Sequence, residues 1–171
     1  PYFLKDLVLF LGLDGKVVIV NVATKQLLRS IIVSSEEYFN NVTYLNVIDN
    51  NMVASTGNTL LALSQKESRE KYEIRDIAYT NEGIWITTKQ GEVIALSPSL
   101  QFKGKQKFPF AHFVGISVQN DRVYVLEQEG YMIALTKNLL SYDIYDIDMD
   151  HDKVFVGDGQ FYFDDRYITV K

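Results

Sequence analysis

The sequence predicts an all-β protein: a β-propeller of four-stranded antiparallel blades, about five of them present, as part of a larger propeller of about seven or eight blades. Three observations carry this expectation. An apolar stretch runs into a glycine-containing turn and on into a second apolar stretch five times, at 7–21, 52–64, 84–97, 123–136 and 154–164. Three of these segments share the ending Ala-Leu-Ser/Thr, at 62–64, 95–97 and 134–136. No long segment has 3.6-residue periodicity, whereas aromatic residues reach 13%, with 11 Tyr and 10 Phe, types that suit a pleated surface.

A repeat of this size decides architecture before any other argument. The anchoring glycines are Gly15, Gly57, Gly91, Gly130 and Gly159, spaced by subtraction at 42, 34, 39 and 29 residues. These spacings bracket the ~40–50 residues of a propeller blade. The repeats run over about 7–33, 42–74, 75–108, 113–144 and 145–171, within a single propeller domain or partial propeller over 1–171.

The elements follow in order. The first unit has strands at 7–11, 16–22 and 26–33, with no inner strand before Leu7. The second has 42–48, 52–55, 59–64 and 71–74; the third has 75–80, 84–88, 92–97 and 101–108. The fourth has 113–118, 122–127, 131–136 and 140–147, and the fifth 145–148, 153–156, 160–163 and 166–170. Turn residues stand at the breaks, at Asn50-Asn51, Asn81-Glu-Gly83 and Asn120-Asp121. Pro98 breaks a strand because it cannot donate to a ladder. One helical turn is expected in 34–40, where Ser-Ser-Glu-Glu resembles a helix start. A first unit without an inner strand leaves Leu7-Val-Leu-Phe-Leu11 as an open apolar edge. An upstream strand, self-association with a neighbouring molecule, or residues 1–4 folding back would cover it.

Composition bounds the function. The net charge is −5 without a basic stripe, which argues against nucleic acid as a partner. The densest basic run, Lys103-Gly-Lys-Gln-Lys107, reads as a solvated edge strand guarded by lysines. There is no cysteine, so disulfides, thiolate metal sites and cysteine nucleophiles are excluded. No apolar run reaches the ~18 residues of a membrane span. The two histidines, His112 and His151, lie far apart, and no phosphate-binding glycine loop occurs.

The best single unit is Asp14-Gly-Lys-Val-Val-Ile-Val-Asn-Val-Ala-Thr-Lys-Gln-Leu-Leu-Arg29. It resembles the quinoprotein-type (PQQ-like) β-propeller repeat, in which Asp-Gly leads into an apolar strand, Ala-Leu-Asp, a Thr-Gly turn and a strand ending in Trp. Here Asn21 replaces the aspartate, Lys25 the glycine, and Arg29-Ser30 the tryptophan. Segments 84–97 and 123–136 match the Gly-x-x-x-Ala-Leu part. The family's enzymes hold a quinone with calcium and dock their blades with recurrent tryptophans; this chain has one, Trp85, for which core packing is expected. The resemblance therefore implies a non-enzymatic propeller without cofactor. It is similar to the periplasmic propellers of outer-membrane barrel assembly or of nitrate reductase maturation, and so to a protein-interaction or scaffold module with protein partners.

Two candidate sites stand out. The acidic run 143–152 places Asp146, Asp148, Asp150 and Asp152 on one face of an extended chain, where they would attract a hard cation. As an EF-hand it fails, because the sixth position from Asp146 is His151 and the twelfth is Gly157. The bland alternative is a solvated strand end; the functional one makes this an enzyme or cation-binding propeller with a site near 146–152. The second candidate is the aromatic loop Phe108-Pro-Phe110-Ala-His-Phe113, read either as packing or as a protein-contact anchor through Phe108, Phe110 and Phe113. Asn41-Val-Thr43 fits the glycosylation sequon, a match that chance readily supplies.

Overall fold

Nineteen β-strands, every pairing antiparallel, make up the regular structure of the described residues of this computed structural model, which are 1–38, 40–149, 153–157 and 159–171. No helix occurs among them. The chain divides into two compact units, Pro1–Glu73 and Ile74–Lys171.

The first unit holds two four-stranded meanders. One is β1 (Tyr2–Leu4), β2 (Leu7–Leu11), β3 (Lys16–Asn21) and β4 (Leu27–Ile32); the other is β5 (Tyr44–Ile48), β6 (Asn51–Ser55), β7 (Thr59–Leu63) and β8 (Glu67–Lys71). Strand alternation sends Leu9, Val17 and Ile31 to one face of the first sheet, where they pack on Met52, Ala54 and Leu61 of the second. A two-residue loop of Asp49 and Asn50, both at positive φ, closes the β5–β6 hairpin.

The second unit stacks three sheets. They are β9 (Ile74–Thr80), β10 (Gly83–Thr88), β11 (Glu92–Leu96) and β12 (Phe102–Lys107); then β13 (Phe113–Gln119), β14 (Arg122–Glu127), β15 (Tyr131–Thr136) and β16 (Tyr142–Asp146); then β17 (Val154–Gly157), β18 (Gln160–Phe163) and β19 (Arg166–Thr169). Trp85, Val93 and Ala95 pack against Ile116, Val125 and Ile133 in one core. Trp85 is buried, and its indole N–H donates to the Lys137 carbonyl at 3.0 Å. Leu126, Met132, Phe161 and Phe163 form the next core. The opposite face of the last sheet carries a cross-strand ladder of Phe155, Tyr162 and Tyr167, with ring centroids 6.1 and 5.7 Å apart.

Four elements differ from the sequence expectation. The first sheet has an inner strand that was not assigned as one: the edge at Leu7–Leu11 is covered in one of the three ways expected, by residues 1–4 folding back as β1, with Tyr2 opposite Leu9 and Leu4 opposite Leu7. Three residues are too short a run for periodicity to assign a strand, and the turn uses Lys5 at φ 50° where sequence logic looks for glycine or asparagine. The outer strand of the second sheet is Glu67–Lys71, not 71–74, and Ile74 opens β9. Its charged side chains suit the solvated edge it occupies, with four of five exposed. Tyr145 and Asp146 belong to the outer strand of the fourth sheet, and the fifth sheet has three strands among the described residues. The helical turn expected in 34–40 is absent from the described residues there, where the Glu36 N–H bonds to Ser34 Oγ at 3.4 Å and to Asn40 Oδ1 at 3.2 Å.

One device recurs at a hairpin, between the two central strands of the first, third and fourth sheets and between β17 and β18 of the last. Gly15, Gly91, Gly130 and Gly159 all have φ between 73° and 90°. Their carbonyls accept the N–H groups that end the outer strand: Val33 (2.8 Å), Phe108 (2.8 Å), Ile147 (2.7 Å) and Val170 (2.9 Å). A Cβ on Gly91 would lie 2.4 Å from the Phe108 carbonyl oxygen. The second sheet departs from this pattern. A Cβ on Gly57 would meet nothing within 4 Å, and Asn58 supplies the carbonyl, accepting from Tyr72 N–H at 3.2 Å.

Gly91→Ala therefore combines a disfavoured left-handed backbone with a backbone clash, and is expected to destabilise by about 2 kcal/mol or more. Gly57→Ala is expected to change stability by less than about 1 kcal/mol. Denaturant unfolding of the two variants checks this; equal losses would contradict the hairpin account.

Candidate protein-contact site

The aromatic loop begins where the Gly91 carbonyl fixes the Phe108 amide. From there the Ala111 N–H donates back to the Phe108 carbonyl at 3.2 Å, closing a tight turn over Pro109 and Phe110. The turn forces Phe110 to φ 67°. Left-handed backbone is unusual for a bulky residue and costs about 1 kcal/mol or more. The side chain recovers none of that by burial, since it is 96% exposed.

The three aromatic residues of the loop separate. Phe113 is buried in the core shared by the third and fourth sheets. Phe108 is half-buried and makes edge-to-face contacts with Phe113 (centroids 6.2 Å apart) and Tyr142 (4.9 Å). Phe110 projects into solvent beside a groove of ≈ 340 Å³, lined by Phe108, Phe110, Glu127, Glu129, Tyr131 and Ile144 among others.

The far wall comes from strand register. Ile133 pairs with Ile144 and Tyr131 with Asp146, so these four share one face of the fourth sheet. Glu127 closes the end of β14. It is buried, and its carboxylate accepts the His112 N–H at 3.1 Å and the Glu129 N–H at 2.7 Å. That arrangement fixes a carboxylate at the groove, and no ion pair to it occurs among the described residues.

The acidic run does not assemble as a described cluster. Asp146 and Asp148 are exposed, while Asp150 and Asp152 lie outside the described residues, as does His151. The Asp148 carboxylate stands 3.6 Å from the Arg166 guanidinium, which also donates to the Asp148 carbonyl at 2.7 Å. No group of three or more His, Cys, Asp or Glu residues suited to a metal occurs among the described residues. What sequence reading missed is that Asp146 shares a sheet face with the aromatic groove; only the register of β15 with β16 brings the two candidates together.

Another concavity, in the first unit, measures ≈ 550 Å³ and is lined by Ser34, Glu36, Arg69 and Lys71 among others. Its cations are committed internally. Arg69 donates to the Ile32 and Val33 carbonyls and to Glu67, and Lys71 pairs with Glu36 at 3.1 Å. The bonds from Lys71 and Asn58 hold the Glu36 carboxyl below its usual range.

Asp76 on β9 is a carboxylate that sequence reading did not single out. Burial pushes its pKa above the ordinary 3.8, against the lowering effect of hydrogen bonds from the Ile77 and Ile116 N–H groups at 2.8 and 3.1 Å. The second bond ties the inner strand of the third sheet to that of the fourth.

No known protein-family profile matches the chain. It is 35% identical over 149 residues to plasminogen-binding protein PgbB of Helicobacter pylori strain J99, an alignment covering 85% of this chain and 28% of that protein. Its identity to PgbB of strain 26695 is 33% over 149 residues, covering 85% and 27%. The chain thus spans less than a third of the length of the curated relatives it matches. Among solved structures, BamB of Moraxella catarrhalis superposes with a TM-score of 0.77 at 12% identity, covering 95% of this chain and 54% of that one. Hsv2 of Kluyvelomyces marxianus superposes with a TM-score of 0.69 at 14% identity, covering 87% and 49%. At such identities the likeness is one of fold, and the fold is a β-propeller.

The raised Asp76 pKa sets a sign. Between 3.8 and the raised value the folded chain holds a proton that the unfolded chain releases, so this residue's contribution to stability falls as pH rises through that window. Asp76→Asn removes the buried charge but leaves one oxygen where the Ile77 and Ile116 N–H groups now use two, so one of them faces an NH2 donor. The lost bond costs stability at every pH, whereas relief of the buried charge counts only where the parent carboxylate is ionised, so the variant is expected to compare better with the parent at neutral than at acid pH. Urea unfolding at both pH values checks this; a variant that loses more stability at neutral than at acid pH would contradict it.

Proposed function

We propose that this chain is a protein-binding, non-enzymatic part of a bacterial cell-envelope β-propeller, working through surface contact. The observation that carries this reading is the 35% identity to plasminogen-binding protein PgbB over most of the chain. The fold supports it, because a propeller is a rigid stack of sheets whose connecting loops present side chains without needing to move. The aromatic loop supports it further. A bulky apolar side chain held in solvent on strained backbone has no packing role, and aromatic residues dominate interface energetics. The resemblance of the repeat to periplasmic propellers supports a cell-envelope location.

Plasminogen is the partner this reading puts first. Surface plasmon resonance of the purified 171-residue chain over immobilised plasminogen is expected to show saturable binding, absent over an albumin surface. Equal response on the two surfaces would contradict the reading.

A further inference from the structure

We propose that the groove beside Phe110 receives the cationic side chain, lysine or arginine, of an extended segment of a protein partner. The inference rests on the protein-binding reading above and adds the chemistry of the contact.

The walls suit an aliphatic stem. Phe108, Tyr131 and Ile144 present apolar surface, and Phe110 stands at the rim with its ring almost wholly in water. At ≈ 340 Å³ the groove is at the small end of ligand sites and accommodates a side chain more readily than a helix of about 10 Å diameter.

Charge decides which side chain. Glu127 and Glu129 both line the groove, and Asp146 stands on the same sheet face opposite Tyr131. Among the described residues no lysine or arginine lines it. The Glu127 carboxylate is the more telling of these. It is buried, held by two backbone N–H groups and oriented before any partner arrives. A buried carboxylate at an aromatic groove repels an acidic partner and gives an apolar one nothing to replace its water. A cation gains both the carboxylates and the faces of Phe108, Phe110 and Tyr131. The strained Phe110 backbone then has a use, because it places a ring where it can close over the bound stem.

The test uses the ¹⁵N-labelled chain and three probes: Nα-acetyl-lysine methylamide, Nα-acetyl-arginine methylamide and the uncharged Nα-acetyl-norleucine methylamide. The expected result is saturable shifts of the amides in 108–111 and 127–131 with lysine, arginine or both. Norleucine should bind about fivefold more weakly, and raised salt should weaken the cationic probes. Glu129→Gln and Phe110→Ala, both changes at exposed positions, should weaken the same shifts with the rest of the spectrum intact. Norleucine binding as tightly as lysine and arginine, no shifts in those two segments, or unchanged titrations in both variants would each overturn the proposal. Plasminogen takes no part in these titrations. Intact shifts without plasminogen capture would therefore refute only that partner, and plasminogen capture by a chain whose groove shows no shifts would refute only the groove.

Discussion

A single backbone hydrogen bond, repeated in four of the five sheets, sets the frame for everything else in this chain. In each, a glycine at the hairpin that leads into the strand before the outer one takes a left-handed conformation and offers its carbonyl to the amide that ends the outer strand. The bond does two things together. It fixes where the last two strands of the sheet stop relative to one another, and it brings the glycine Cα so close to the neighbouring chain that no side chain fits at Gly15, Gly91 or Gly130. Register then propagates outward, because a one-residue slip would turn the buried face of each strand to solvent. The small Ala and large Leu of the shared motif keep their places as a result: Ala95, Leu96, Ala134 and Leu135 are all buried at corresponding positions.

At Gly91 the same bond sets the course of the aromatic loop. It ends the outer strand at Phe108, so the chain must cross to β13 within four residues. Pro109 and a left-handed Phe110 make the crossing, and the His112 N–H is caught by the buried Glu127 carboxylate. The loop is thus held at both ends by hydrogen bonds to the sheets it connects. Its apex is left to carry an aromatic ring that packs against nothing. Strain at the apex and order at the base are what a preorganised contact site needs, since little conformational freedom remains to be lost on binding.

Much of this architecture was legible in the chain. Glycine spacing, alternating apolar runs and turn residues located the third and fourth sheets to within about two residues, because those strands are long, buried and bounded by strong turn signals. The misses share a physical origin. β1 is three residues long, and β8 is a charged edge strand that its neighbours hold in place more than its own apolar content does. Tyr145 and Asp146 read equally well as the end of one sheet or the start of the next, and pairing alone decided. Of the candidate site, the aromatic loop was visible as composition. The division of labour among Phe108, Phe110 and Phe113 was not, and neither was the pairing of Tyr131 with Asp146, since both depend on register across strands distant in sequence. Gly57 shows the converse: a glycine that fits the repeat by spacing yet makes none of the contacts that require one.

The hairpin glycines lock the strand ends and thereby hold the aromatic loop in place. Amide hydrogen exchange reads this directly, residue by residue. The amides of Phe108 and Ile147, bonded to Gly91 and Gly130, are predicted to exchange as slowly as those of the central strand β15. Exchange of these two amides at the rate of unprotected surface positions would contradict the lock, and with it the explanation of how this chain presents its aromatic loop.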